Sequence, residues 1–227
     1  MSKFILVAFF ACGLIGCQKN IDSTMAETKK ELNYLALGDS YTIGTAIKSQ
    51  EAFPHQLAES IEAEVGNKVN VRIVAQNGWR TDDLRRAIKR TDLDESYDLV
   101  SLLIGVNNQY QQLPVEDFKK DFIQLIDTAI VYAGLDKSNV FVISIPNYGV
   151  TPFGMPNKDA TTKDLALFNS VIDSICLERE ISFFNVTDIS LGAENREDYR
   201  AKDDLHPSAI QYGNWVASFV NRVIEKI

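Results

Sequence analysis

Short apolar runs alternate with longer amphipathic segments from Leu32 to the end of the chain. Five of the short runs are rich in valine, isoleucine, leucine and phenylalanine, which is typical of strands buried on both faces of a parallel sheet. The predicted strands are 34–37, 69–75, 99–104, 140–145 and 181–185, and the predicted helices are 54–65, 82–90, 115–133, 162–179 and 207–225. With right-handed crossovers, this order predicts an α/β sandwich around a five-stranded parallel sheet.

The first 16 residues predict an export signal. Lys3 precedes an apolar run at 4–15, which is too short to span a bilayer and has the length of a signal-peptide core. The following sequence, Leu-Ile-Gly-Cys at 14–17, resembles the lipobox of bacterial lipoproteins. That resemblance implies cleavage at residue 16, an acylated Cys17, and an exported lipoprotein anchored to a membrane, on the outer membrane or facing the periplasm. The alternative is an ordinary secretory signal.

The rest of the chain divides into a tether and one domain. Residues 17–30 are polar, lack periodicity and contain no aromatic residue, which predicts a flexible tether behind Cys17. Residues 31–227 then form one globular domain, and the 45% hydrophobic content of the chain is enough for a sizeable core. Cys176 follows Ile172 and Ile175 with helical spacing, so we expect a buried apolar residue rather than a reactive thiol.

The charge and the motif content exclude several classes of partner. Acidic residues outnumber basic ones by 31 to 23, and the resulting net charge of −8 disfavours nucleic acids and anionic membrane surfaces as partners. The sequence contains no phosphate-binding loop with a lysine, no Cys/His cluster and no dinucleotide fingerprint. The sequence therefore offers no motif for a bound nucleotide, a metal cluster or a dinucleotide.

Polar residues follow each predicted strand. Gly-Asp-Ser at 38–40 follows the first strand, the loop 76–81 follows the second, and Gly-Val-Asn-Asn at 105–108 follows the third. Pro-Asn-Tyr-Gly at 146–149 follows the fourth, and Asp-Asp-Leu-His at 203–206 lies beyond the fifth. Because ligands of open parallel sheets bind at the carboxyl ends of the strands, we expect these segments to converge at one edge.

A nucleophilic serine needs a base within hydrogen-bond reach and a third group that orients the base. The chain has two histidines, and His55, at a helix start, fits an exposed or capping position. His206 is the better base because Asp203 precedes it by three residues, with Asp204 as the alternative carboxylate. Taken separately, the Ser40 segment also fits an ordinary turn, and the Asp-X-X-His segment also fits a loop that caps the last helix.

Together, these segments resemble the four sequence blocks of the SGNH/GDSL hydrolases. The matching positions are Ser40 in Gly-Asp-Ser-Tyr, the glycine-containing loop 76–81, Asn107 in Gly-Val-Asn, and the pair Asp203 and His206. The resemblance implies a flavodoxin-like three-layer α/β/α sandwich and hydrolysis of carboxylic esters through an acyl-serine. It also implies Ser40 as the nucleophile, His206 as its base and Asp203 as the orienting group, with no cofactor.

The family also implies an oxyanion hole with three donors. They are the N–H of Ser40, a backbone N–H in the second block and the side chain of Asn107. The second block departs from the family pattern, because Thr81 stands before Asp82 where a glycine is usual; we favour the N–H of Thr81 and keep that of Gly78 as the alternative. The third block ends in Asn108 instead of the usual aspartate, a change that we expect to leave activity intact.

The substrate stays open at the level of sequence. The resemblance implies small or medium acyl esters, glycan acetyl esters or lysophospholipids, and a membrane anchor would make lipids reachable. Two other functions are compatible with the same fold, namely O-acyl transfer to a sugar acceptor and noncatalytic binding by a lipoprotein. We expect the loops 109–113 and 148–157 to set specificity, and Trp79 to be either a gate of the site or part of the core.

Overall fold

The computed structural model describes Met1 and residues 31–227. The predicted signal segment after Met1, the tether and Cys17 lie outside the described residues. No helix in the described part combines the length and the apolarity that a membrane span requires.

Five parallel strands form one sheet, as the sequence predicts. The strands are β1 (Leu32–Gly38), β2 (Val69–Ala75), β3 (Leu99–Leu103), β4 (Val140–Ile143) and β5 (Ser182–Phe184). Their order across the sheet is β2-β1-β3-β4-β5. The winding direction reverses between β1 and β3, and the carboxyl ends of these two neighbours therefore flank the crevice in which open α/β sheets bind ligands.

Helices cover both faces of the sheet. The helices are α1 (Ser40–Ile43), α2 (Phe53–Val65), α3 (Thr81–Ile88), α4 (Val106–Tyr110), α5 (Val115–Tyr132), α6 (Lys158–Arg179), α7 (Thr187–Leu191) and α8 (Ala209–Ile224). Helices α2 and α8 pack against each other on one face, whereas α5 packs between α3 and α6 on the other. The predicted three-layer α/β/α sandwich is confirmed.

The five long helices match the predicted ones to within four residues at their ends, but three short helices do not appear in the prediction. Helices α1, α4 and α7 have four or five residues each. Such a helix completes little more than one turn, so it leaves no apolar periodicity in the sequence. Two of them, α1 and α4, begin directly at the crevice between β1 and β3.

The core explains why the strands lack polar alternation. Every residue of β3 and β4 is buried, because helices cover both faces of the sheet. Tyr34 is buried in β1, and its hydroxyl shares a 2.7 Å hydrogen bond with Ser101 of β3. Cys176 is fully buried as predicted, and burial raises the pKa of its thiol to about 12.

The start of the last helix differs from the prediction. Pro207 does not open α8; the helix begins at Ala209, and the Ser208 side chain accepts a hydrogen bond from the Gln211 N–H at 3.3 Å. Pro207 instead forms an antiparallel bridge with Arg200. The hydroxyl of Ser208 is a better helix cap than any group of Pro207, and the bridge closes the loop 200–207 that carries Asp203 and His206.

Strand β1 approaches β3 closely at Gly38, and a substitution at this position tests that approach. A methyl group at this position would overlap with the Leu103 carbonyl oxygen and the Thr42 hydroxyl, and the backbone oxygen cannot rotate away. We predict that Gly38→Ala lowers the free energy of unfolding by about 1–3 kcal/mol in urea titrations.

The matched control is Gly213→Ala in α8. There the new methyl group meets only the end of the Gln56 side chain, at 3.0 Å, and alanine favours helix by about 1 kcal/mol. An equal loss of stability in the two variants would contradict the predicted overlap at Gly38.

Candidate active site

Ser40 lies on a tight turn between a strand and a helix. Strand β1 ends at Gly38, and Ser40 is the first residue of α1. The Asp39 side chain caps α1 by accepting the Tyr41 N–H at 3.0 Å, and the Asp39 carbonyl accepts the N–H of Thr42 at 3.0 Å. These bonds hold the serine at the carboxyl edge of the sheet, where it is 4% exposed. Among residues 31–227, its backbone N–H has no acceptor.

His206 is held by one carboxylate. Its Nδ1 lies 2.6 Å from Oδ2 of Asp203, and Oδ1 of Asp203 accepts the N–H groups of Leu205 and His206 at 3.1 and 3.0 Å. Asp204 has a left-handed backbone and lies 3.6 Å from the Arg200 guanidinium. The residue that contacts the imidazole is therefore Asp203 and not Asp204.

The electrostatics of the pair fix the tautomer of the ring. Partial burial by itself would raise the pKa of Asp203, but its hydrogen bonds from His206 and Leu205 outweigh that effect and lower the pKa below its ordinary value. An ionised carboxylate only accepts hydrogen bonds, so Nδ1 of His206 carries the proton. In the neutral ring, Nε2 is then left as an acceptor.

Ser40 and His206 line the same pocket, which has a volume of about 130 Å³. Its walls come from segments beyond all five strands, within 40–41, 77, 106–110, 148–153 and 205–206. The predicted convergence of these segments is therefore seen. In the described part of the chain, neither the Ser40 hydroxyl nor Nε2 of His206 is hydrogen-bonded to the rest of the protein, and such bonds often tighten only with bound substrate.

His206 packs against the turn that carries Ser40. The ring of Tyr41 meets the imidazole edge-on, with 5.6 Å between their centroids. His55, in contrast, is partly buried near the start of α2, and its Nε2 lies 3.5 Å from the Ser49 hydroxyl. His55 is not among the residues that line this pocket.

Asn107 also lines the pocket, at the start of α4. Gly105, with φ of 125°, makes the turn from β3 into this helix. One amide N–H of Asn107 donates to the Trp79 carbonyl at 2.9 Å, and since an amide has two such donors, the other stays available to a ligand. The Trp79 side chain is partly buried against the core and does not line the pocket, so it is a core residue rather than a gate.

The structure corrects the expectation that Thr81 supplies an oxyanion donor. Its backbone N–H already donates to Oδ1 of Asn108 at 3.1 Å, and the Asn108 amide donates in return to the Thr81 hydroxyl at 2.9 Å. Thr81 is fully buried outside the pocket, and its hydroxyl donates to Asp121, which is paired with Arg85. The family pattern could not show this, because the partner lies 27 residues away.

Gly78 occupies a tight turn in the same loop. The Trp79 N–H donates to the Gln76 carbonyl at 3.3 Å, and Gly78 has φ of 81°, which this kind of turn requires of its third residue. Its N–H has no acceptor within the described residues, and the residue before it, Asn77, lines the pocket. Gly78 stays a predicted donor. Asn77 is a further pocket residue, which the sequence signals only through the Asn-Gly pair that marks the turn.

Asp39 is a fully buried acid next to the candidate nucleophile. Burial raises the pKa of Asp39 to about 7, against a smaller lowering by the N–H groups of Tyr41 and Gly105.

The described part of the chain has no cluster of metal-binding residues: no group of three or more His, Cys, Asp or Glu side chains there is placed to hold an ion.

One known protein family matches the domain that carries this site. Residues 36–213 match the model of the GDSL-like lipase/acylhydrolase family. The chain belongs to this family. The match confirms the resemblance that the four sequence blocks carry, and it places the protein among hydrolases. A comparison with curated protein sequences gives no match.

Solved structures of GDSL hydrolases and esterases share the fold. The lipase/acylhydrolase from Enterococcus faecalis is 18% identical over 86% of this chain and 96% of its own, with a TM-score of 0.68. An acetylxylan esterase from Geobacillus stearothermophilus is 14% identical over 86% of this chain and 95% of its own, with a TM-score of 0.68. A psychrotrophic esterase from Pseudoalteromonas sp. is 16% identical over 86% of this chain and 98% of its own, with a TM-score of 0.64.

The raised pKa of Asp39 predicts that the stability of the protein depends on pH. Its pKa in the folded protein, about 7, lies above its ordinary value of 3.8, so the folded state keeps the proton between these values while the unfolded state loses it. Stability that is fully present below about pH 4 is therefore lost as the pH rises through about 7.

We predict that Asp39→Asn, which keeps an acceptor for the Tyr41 N–H, gains stability relative to the native protein as the pH is raised from 4 to 8. Urea unfolding at a series of pH values measures the difference. A difference that stays constant across this range would contradict the raised pKa of Asp39.

Proposed function

We propose that the protein is a serine carboxylic-ester hydrolase that works through an acyl-serine at Ser40. The observation that carries the proposal is the Asp203–His206 pair, whose imidazole lines the same pocket as the Ser40 side chain. Nε2 of His206 is the acceptor that a serine nucleophile requires.

The first half of the reaction acylates the serine. Nε2 of His206 takes the hydroxyl proton while Oγ of Ser40 bonds to the ester carbonyl carbon, and Asp203 stabilises the imidazolium that forms. The ester C–O bond then breaks, and His206 returns the proton to the leaving alcohol. In the second half, water gives a proton to His206 while its oxygen bonds to the acyl carbon. The bond between that carbon and Oγ of Ser40 then breaks, Oγ takes the proton from His206, and the acid is released.

The charge that develops on the carbonyl oxygen needs donors fixed in advance. Two candidates lie on the pocket, namely the N–H of Ser40, at the start of α1, and the second amide N–H of Asn107. The N–H of Gly78 is the proposed third donor, because the N–H of Thr81 is bonded to Asn108. All these steps use protein groups and water.

The proposed substrates are small or medium acyl esters. Glycan acetyl esters and lysophospholipids are the two natural candidate classes, the first with a short acyl group and the second with a long one. The acetylxylan esterase that shares the fold acts on an acetylated glycan, which supports the former class. The net charge of −8 disfavours polyanionic substrates.

We also propose that the protein is an exported lipoprotein anchored through Cys17. The support is the lipobox-like sequence at 14–17 behind an apolar segment of signal-peptide length. More than one acyl chain at Cys17 would hold the domain on a membrane, because a single chain binds only marginally.

The anchor is tested by metabolic labelling with a clickable fatty acid. We expect Cys17→Ala to abolish the label, because it removes the acylated thiol. The control is Cys12→Ala, which changes a second cysteine inside the predicted signal segment and should keep the label. Label that persists in Cys17→Ala would refute the proposed anchor.

The nucleophile is tested with p-nitrophenyl acetate and p-nitrophenyl octanoate. We expect Ser40→Ala to lower kcat by more than about a thousandfold, because no acyl-serine can form. Ser49→Ala, which changes a serine outside the pocket, is the control and should leave turnover unchanged. Equal turnover in the native protein and Ser40→Ala would refute the assignment.

The oxyanion hole is tested with Asn107→Ala. Loss of its amide donor should lower kcat on the same esters by about tenfold to a thousandfold. Asn195→Ala changes an exposed asparagine and serves as the control. An Asn107 variant with a higher KM but an unchanged kcat would show that the amide binds the ground state and the transition state equally, which would contradict its role as an oxyanion donor.

A further inference from the structure

Three aromatic side chains form one cluster along the pocket. The ring centroids of Tyr110 and Tyr148 are 6.3 Å apart, those of Tyr148 and Phe153 are 6.3 Å apart, and those of Tyr110 and Phe153 are 6.0 Å apart. Each ring thus contacts both others, and all three line the pocket that holds Ser40. We refer to Tyr110, Tyr148 and Phe153 as the aromatic rim.

One ring of the aromatic rim is fixed, and two face solvent. The Tyr148 hydroxyl donates to Oε1 of Gln109 at 2.9 Å, and Tyr148 is 7% exposed. Gln109 is itself bonded to Asp164 of α6, at 3.4 Å. Tyr110 and Phe153 are 57% and 47% exposed. Exposed apolar rings that flank a reactive pocket, supported by a buried ring, indicate a surface that contacts a ligand.

The size of the pocket limits the acyl group. Its volume is about 130 Å³, whereas a cavity of about 150 Å³ is known to admit benzene. The pocket therefore has room for about six non-hydrogen atoms, enough for an ester group with an acetyl to butyryl chain. A fatty-acyl chain is longer than this space, so most of it would extend past the pocket, and the aromatic rim is the exposed apolar surface that the rest of a substrate meets there.

The side chains that line the pocket indicate which kind of alcohol lies over the aromatic rim. No lysine or arginine is among the described residues that line the pocket, so the pocket itself offers no cation to a phosphate or carboxylate. Tyr110 and Phe153 offer flat apolar faces, and the exposed Asn77 offers an amide for hydroxyl groups. A sugar ring combines one flat C–H face with hydroxyl edges and carries no charge, which matches this surface.

We propose that the aromatic rim is the alcohol subsite, and that it binds a neutral sugar ring bearing a short acyl ester. This inference rests on the proposed ester hydrolysis at Ser40. The bond that breaks is the one between the acyl carbon and the sugar oxygen; the sugar oxygen gains the proton from His206, and water supplies the oxygen of the released acid.

The subsite is tested by comparing kcat/KM for an acetylated methyl glucoside with kcat/KM for ethyl acetate, whose alcohol is too small to reach across the rings. We expect Tyr110→Leu and Phe153→Leu each to lower the ratio of the two values by about two- to tenfold, the worth of one aromatic stacking contact. Tyr110→Phe keeps the ring and should keep most of the ratio. Leu177→Ala, an exposed change on α6, should leave it unchanged.

A ratio that stays unchanged in both leucine variants would overturn the sugar subsite. The acyl limit is tested on the same glucoside carrying acetyl, butyryl or octanoyl groups. We expect octanoyl turnover to fall by at least about tenfold from butyryl, since the longer chain exceeds the pocket. Octanoyl esters cleaved as fast as acetyl esters would overturn the proposed size limit.

Calorimetric titration of Ser40→Ala with the acetylated methyl glucoside separates this inference from the proposed function. Binding that weakens on adding Tyr110→Leu supports the aromatic rim even if the native protein cleaves no ester. Ester cleavage by the native protein, with glucoside binding that is indifferent to Tyr110, would leave the proposed function standing and refute the sugar subsite.

Discussion

The hydrogen bonds of one carboxylate, Asp203, determine the geometry of the candidate site. One oxygen accepts two backbone N–H groups and so shapes the loop, while the other holds Nδ1 of the imidazole at 2.6 Å. Ring and loop are thus positioned by the same group. The Ala201 N–H closes the loop on the His206 carbonyl at 2.8 Å, so the ring enters the pocket from a fixed backbone. Without this carboxylate, neither the tautomer nor the direction of the ring would be set.

Sheet topology brings the remaining groups to that ring. Strands β1 and β3 are neighbours, so the turn at Ser40 and the start of α4 at Asn107 share one crevice. The loop after β2 is joined to the same place by two links, from Asn107 to the Trp79 carbonyl and between Asn108 and Thr81. The Asn107 amide and the loop that carries Gly78 are therefore joined by hydrogen bonds, and Asn108 stabilises this loop where the family usually has aspartate.

Most of the scaffold could be predicted because apolar periodicity reports burial over many residues. The same signal fails for α1 and α4, which are too short to show a period, and these two helices present Ser40 and Asn107. Pro207 fits a helix start by its own geometry, but the Ser208 hydroxyl caps the helix instead. The bond from Thr81 to Asn108 joins residues far apart in the sequence, so no local pattern reveals it. The sequence likewise marks the loops of the aromatic rim without showing that their three rings meet.

The most direct measurement is mass-spectrometric mapping of a fluorophosphonate adduct on the native protein and on His206→Ala. Such a probe reports a serine that a neighbouring base activates, whatever the natural substrate is. We predict one adduct, on Ser40, that forms rapidly in the native protein and slowly or not at all in His206→Ala. An adduct on another serine, or one that forms on Ser40 at the same rate in both proteins, would contradict this prediction.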